Sequence, residues 1–140
     1  MKIGIHGKNF NDETRSFIKD VFEHLLVNKV EVFLSEEFNQ LVKSASIDIS
    51  ELGVYSESDD LSYLDFFLTL GGDGTLLEAV THVGRTQVPI LGINTGRLGF
   101  LATTAKAEFK NALHSLQSNK YTFDERTLLR LESNANLFNG

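Results

Sequence analysis

Short apolar runs and helical-period runs take turns along this chain. Lys2 to His6 is apolar and bounded by Gly7, which predicts a buried strand. Asn11 has the chemistry of a helix N-cap, and the charges of Asp12 and Glu13 suit the positive end of a helix dipole. Phe17, Ile18, Val21, Phe22, Leu25 and Leu26 then recur at helical spacing and predict a helix with one face on a sheet. Val30 to Leu34 reads as a second strand. A short helix follows from about Glu36 to Ala45, with Phe38, Leu41 and Val42 on one side. From Ser46 to Tyr63 the pattern weakens, and acidic Glu57 to Asp60 reads as a solvated loop. Leu64 to Leu70 is almost continuously apolar, as in a strand covered on both faces, with Phe66 and Phe67 on opposite sides. Gly71-Gly72-Asp73-Gly74-Thr75 interrupts it. Leu76, Leu77, Val80 and Val83 give another helix, stopped by Gly84. Val88 to Ile93 is a strand with Pro89 near its start, and a second glycine-rich turn, Asn94 to Phe100, follows it. A helix carrying Phe109, Ala112, Leu113 and Leu116 comes next, and Tyr121 to Glu132 reads as extended.

Strands alternating with helices predict an α/β fold: a parallel sheet with helices on both faces. Ligands in such sheets gather beyond the carboxyl ends of the strands. Both glycine-rich turns directly follow predicted strands, so they belong to one rim. Chemistry is expected there.

Composition narrows the picture. The chain has 140 residues, a net charge of −6, 41% hydrophobic and 23% charged residues, and no cysteine. That suits one globular domain with its own core and excludes disulfides, thiolate metal sites and cysteine nucleophiles. No apolar run approaches the ~18 residues of a membrane span, and the first residues lack a signal-peptide core, so the expected compartment is the cytoplasm. The acidic balance argues against a general nucleic-acid binder, and membrane partners are not expected. His24, His82 and His114 lie on predicted helices without ligand spacing, so no residue is assigned to a protein-held metal.

The first turn, 71–75, combines three glycines with Asp73 and Thr75. Glycines let a backbone approach a ligand and reach positive φ, and the amides of such a turn make an anion nest ahead of a helix N-terminus. Thr75 can cap the helix or meet a phosphate. A carboxylate repels phosphate, so Asp73 must serve some other purpose. It can take a proton from an attacking hydroxyl, or approach a metal carried by a nucleotide. No Gly-Lys-Ser/Thr follows, so this is not a P-loop, and the G-x-G-x-x-G spacing is absent. The second turn adds free amides, the cation Arg97, and Phe100. The Phe100 ring either stacks on a nucleobase or fills the core with Leu101. Lys8 and His6 close the first strand on the same rim, where Lys8 could meet a phosphate.

Gly-Gly-Asp-Gly-Thr at 71–75 resembles a kinase superfamily of NAD kinases, diacylglycerol and sphingosine kinases and, more distantly, phosphofructokinases. Asn94-Thr-Gly-Arg-Leu-Gly-Phe-Leu101 resembles the N-T-G-x-L-G-F-L element of NAD kinases in particular, and the first strand is similar too. The resemblance implies a Rossmann-like three-layer domain over residues 1–120. Residues 121–140 would then begin an all-β domain otherwise absent from this chain. It implies transfer of the γ-phosphoryl group of Mg-ATP (or polyphosphate) to the 2′-hydroxyl of the adenosine ribose of NAD, giving NADP. It further implies Mg²⁺ with ATP, and a dimer or tetramer for the full-length protein. Asp73 would take the hydroxyl proton. Gly72, Gly74 and Thr75 would line phosphates, Phe100 would meet the adenine with Gly99 allowing close approach, and Leu77, Asn94, Thr95 and Gly96 would contact the nucleotide. Lys8 and Arg97 are the candidates for ATP phosphate. The family's later Asn-Glu pair is missing, so the chain alone is expected to be inactive. Many members carry Arg five residues after the Asp; here Glu78 stands there and reads as a solvated helix residue. A lipid kinase domain and a non-catalytic nucleotide-binding module are the competing readings.

Overall fold

The computed structural model describes residues 1–8, 11–97 and 99–128. Its elements are β1 (Lys2–Gly7), α1 (Asp12–Val27), β2 (Glu31–Ser35), α2 (Glu36–Ser44), β3 (Gly53–Tyr55), β4 (Phe66–Gly71), α3 (Asp73–Val83), β5 (Ile90–Asn94), β6 (Thr104–Ala105) and α4 (Phe109–Gln117). The strands form one parallel sheet in the order β3-β2-β1-β4-β5-β6. The order reverses between β1 and β4, the place where open α/β sheets open a ligand crevice. No helix among the described residues is long and apolar enough to cross a membrane.

Side-chain alternation along the strands feeds two cores. Ile3, Ile5, Leu34, Leu68 and Ile93 point to one face and meet Ile18, Val21, Phe22 and Leu25 of α1, Phe38 and Val42 of α2, and Phe109, Leu113 and Leu116 of α4. Phe67 and Tyr55 point to the other and meet Ala79 and Val83 of α3. Phe66 and Phe67 therefore do divide between the faces. Each fully buried aliphatic side chain contributes about 1.5–3 kcal/mol.

Local chemistry sets the helix ends. Asn11 caps α1 in a capping box: its Oδ1 accepts from the Thr14 N–H at 2.7 Å, and the Thr14 hydroxyl accepts from the Asn11 N–H at 2.8 Å. Ser35 caps α2 by accepting from the Phe38 N–H at 3.2 Å. Gly84 ends α3 at φ 54°, a conformation a side chain would strain.

Several boundaries differ from the sequence reading. The strand predicted from Leu64 starts at Phe66, because Leu61–Tyr63 coils into a single 3-10 turn and Leu64 is buried just after it. The strand predicted from Val88 starts at Ile90, because Pro89 has no N–H to pair, although its carbonyl accepts from Phe67 at 2.8 Å. The hydrophobic pattern predicts neither β3 nor β6, which have three and two residues. Residues 121–128 form neither helix nor strand; Tyr121 sets its ring edge-on to Phe66 at 5.5 Å. The rest of the extended stretch expected to Glu132, and the polar tail, lie outside the described residues.

Candidate functional site

The two glycine-rich turns meet above the ends of β4 and β5. β4 ends at Gly71, Gly72 is the N-cap of α3, and Asp73 is its first residue. No side chain caps this helix, so the first-turn amides are left for other partners, as an anion site requires. Gly72, Gly74 and Gly96 each face open space where a Cβ would stand, and a ligand can come close to their backbone. None of these three takes positive φ; Gly72 is extended, at φ −101° and ψ −164°. Their value is clearance, not the left-handed geometry the sequence suggested.

Asp73 ties the turns together. Its Oδ2 accepts from the Phe100 N–H at 2.8 Å, and its Oδ1 accepts from Leu101 at 3.0 Å and Ala102 at 2.9 Å. These amides, Ala102 foremost, then Phe100 and Leu101, hold the carboxyl below its ordinary range. Stability from a depressed carboxylate is present above its unfolded pKa and lost as pH falls through the folded one. The clamp is therefore intact at neutral pH and fails only below the ordinary aspartate range. Gly99 packs so closely on this carboxylate that a Cβ would overlap it. The Thr95 N–H adds a second tie, donating to the Gly71 carbonyl at 3.2 Å.

Asn94 builds the second turn from inside. Its Nδ2 donates to the carbonyls of Arg97 at 2.7 Å and Ala102 at 3.2 Å, and its Oδ1 accepts from the Gly96 N–H at 2.9 Å. It is buried, with each polar atom engaged in the turn, so it shapes the site. Thr95, Gly96 and Arg97 line a cleft of about 170 Å³ with Gly71, Gly72 and Thr75. Phe100 is 95% exposed, which decides its open alternative against core packing; Leu101 is half-buried.

Other expected roles change. Thr75 does not cap α3: it is buried at the third helical position against Gly71, where the chain leaves no room for a Cβ. Leu77, counted into the apolar face of α3, is 55% exposed; Thr75, Ala79 and Val83 form the buried stripe. That leaves Leu77 open to a ligand or a neighbouring surface. Glu78 is not simply solvated. It lies half-buried over the end of β1, where Oε1 accepts from the Lys8 ammonium and Oε2 stands 3.4 Å from His6 Nε2. The bond to Lys8 is the main cause holding Glu78 below its usual range, and the same bond raises Lys8. His6 is buried, not on the open rim, with Nδ1 2.8 Å from Ser35 Oγ. An N–H donated to Glu78 leaves Nδ1 to accept from the Ser35 hydroxyl. Burial, then the neighbouring His6, keeps His82 below its usual range, and its Nδ1 meets the Tyr55 hydroxyl at 3.3 Å. Burial pushes the Tyr55 phenol up.

Sequence reasoning missed this His6–Ser35–Glu78 network. Ser35 ahead of two glutamates is a readable N-cap signal, but nothing in the linear pattern joins residue 78 to residue 6. Among the described residues no three His, Asp or Glu side chains gather to hold a metal. A roomier cleft, about 460 Å³, lies beyond β2 and β3. Glu36, Glu37 and Glu57 line it, and they disfavour phosphate more than the cleft at the glycine turns does.

The family model described as the ATP-NAD kinase N-terminal domain matches residues 3–121. The NAD kinase of Cytophaga hutchinsonii is 36% identical over 139 residues, covering 99% of this chain and 48% of that protein. The NAD kinase of Christiangramia forsetii is 34% identical, covering 96% and 46%. The crystal structure of yeast NADH kinase complexed with NADH superposes with a TM-score of 0.64 at 26% identity, covering 85% of this chain and 38% of that one. The chain thus spans about half the length of the curated relatives it matches.

Proposed function

This chain belongs to the NAD kinase family through its N-terminal domain, and we propose that in its full natural length it phosphorylates NAD to NADP. The donor is Mg-ATP, and the acceptor is the 2′-hydroxyl of the adenosine ribose. The observation that carries the reading is the Asp73 clamp: one ionised carboxylate joins an open, uncapped helix N-terminus to a turn bearing an exposed aromatic ring.

In the reaction the 2′-oxygen forms a bond to the γ-phosphorus. The bond from that phosphorus to the β–γ bridging oxygen breaks, and ADP leaves. The amides around Gly72 and Gly74 take the phosphate charge, with Thr75 supporting them from below. Arg97 stands at the mouth of the cleft beside Thr95 and Gly96 as a further cation for phosphate. Among the described residues Asp73 Oδ2 accepts from one amide, so it keeps an acceptor direction for the hydroxyl proton. A carboxylate held ionised is a weak base. Phosphoryl transfer through a loose transition state asks mainly for positioning and charge stabilisation, so a weak, well-placed base suffices. Phe100 stacks on the adenine of NAD, and Leu77 adds an apolar contact near it. Mg²⁺ would arrive on the nucleotide, since it is commonly held by one or two carboxylates plus substrate phosphates.

The proposal includes the organisation implied by the family: residues 1–120 as the nucleotide-binding half, with the chain from 121 leading into an all-β half. It also includes a cytoplasmic homo-oligomer as the working form. The test is Asp73→Asn in the full-length protein. Turnover should fall about 10²–10⁴-fold, the usual range for a lost general base, and by much more than NAD binding, which weakens only as far as the lost acceptor loosens the Phe100 turn. Equal loss of binding and turnover would assign Asp73 to structure alone.

A further inference from the structure

Across the α3 side of the sheet runs a row of polar side chains at one level. Ser35 pairs in register with Tyr55, and His6 with Thr69. His6 and Ser35 are hydrogen-bonded neighbours. α3 lies over this row, with its side fixed by His82 stacking on Phe67 at 5.8 Å. Glu78 and His82, one turn apart, reach down to the row: Glu78 to His6, His82 to Tyr55. Glu78 reaches sideways as well, to the ammonium of Lys8.

Lys8 is the first residue past β1, and α3 begins two residues past the end of β4. These are the two strands that flank the reversal of strand order. A cation there faces the crevice where a nucleotide belongs. A free lysine at a strand end would sample many rotamers, and a ligand phosphate would have to order it. An acceptor that holds the ammonium in advance removes that cost. Glu78 is such an acceptor, and its other oxygen is fixed by a buried imidazole that is itself fixed by Ser35. The ammonium has three donors, and one of them goes to Glu78. Among the described residues no second acceptor takes the other two, which leaves them for phosphate oxygens.

We propose that Glu78 is a positioning residue for the phosphoryl donor. Anchored by His6, it presents the Lys8 ammonium to the terminal phosphates of ATP. This rests on the kinase reading above. It gives position 78 a role opposite in sign to a phosphate contact: the carboxylate holds the cation, and the cation holds the phosphate. The ion pair also lowers the repulsion that a bare Glu78 carboxylate would offer the donor, leaving Glu37 as the further carboxylate whose charge reaches Lys8.

The experiment is steady-state kinetics of the full-length protein with Lys8→Met, Glu78→Gln, Glu78→Ala and the double variant K8M/E78Q, with thermal midpoints alongside. K8M should raise the KM for Mg-ATP about tenfold, the worth of one charged hydrogen bond. E78Q and E78A should raise it severalfold, with kcat and the KM for NAD within about twofold. The double variant should be no worse than K8M, because the two residues act in series. Additive effects in the double variant would overturn the proposal. So would an unchanged or lowered KM for ATP in E78Q, or equal rises in both KM values with a lower thermal midpoint, which is what simple packing glue would give. If the Glu78 variants do not fold, an unchanged ATP KM in K8M, whose side chain is partly in solvent, overturns it alone. A wild-type protein that makes no NADP would be a different failure, that of the kinase reading, and would remove the premise.

Discussion

At the scale of residues, the site depends on close approach. At Gly99 an added Cβ would enter the space of the Asp73 carboxylate, which would have to shift. Gly99→Ala should therefore push Asp73 off the three amides. The cost should be about 1–3 kcal/mol, as for overpacking elsewhere, seen as a lowered thermal midpoint, with turnover falling about a hundredfold through misplacement. A variant of normal stability and activity would show the clamp to be dispensable. Phe100 should behave in the opposite way. It is almost fully exposed, so Phe100→Ala should leave stability within about 0.5 kcal/mol. If the ring stacks on adenine, the KM for NAD should rise about tenfold or more. A stability loss without a change in KM would mean the ring serves packing against a neighbouring surface.

At the scale of elements, long periods are what make the sequence legible. α1 with its Asn11 cap, α2 and α4 with their apolar stripes, and the Phe66/Phe67 division of β4 stand in the sequence because each carries several repeats of one pattern. β3 and β6 carry too few residues to show any period. α3 is legible as a helix, but its apolar spacing points one step off the buried stripe: it includes Leu77 where Thr75 and Ala79 lie. The two turns are legible as chemistry. Their union through Asp73 is not, because hydrogen bonds across 27 to 29 residues leave no local pattern. The same holds for Glu78 and His6, 72 residues apart. Ser35 shows how one side chain serves two elements, capping α2 and partnering His6. Ser35→Ala should remove the cap and leave a buried imidazole nitrogen unpaired, at a combined cost of about 2–4 kcal/mol by denaturant unfolding. A cost below about 1 kcal/mol would mean that water or another partner replaces the hydroxyl.

At the scale of the whole molecule, three features of the proposed site share the carboxyl rim of one sheet. Lys8 and Glu78 flank the reversal of strand order, the uncapped start of α3 follows β4, and the Asp73-clamped turn with Phe100 follows β5. A donor over β1 and β4 and an acceptor over β5 would meet at Asp73. The chain spans about half of the relatives it matches, so residues 1–140 alone should show at least about a hundredfold less turnover than the full-length protein, because positioning contacts would be missing. Full turnover by residues 1–140 would place the complete site within this chain and contradict that part of the account.

The measurement that bears most directly on the central claim is NADP formation from NAD and Mg-ATP by the full-length protein, with Asp73→Asn beside it. NADP from the wild type, and none above about one hundredth of that rate from a folded Asp73→Asn variant that still binds NAD, is the predicted result. A folded wild type that makes no NADP, or an Asp73→Asn variant that makes it at the wild-type rate, would contradict the account.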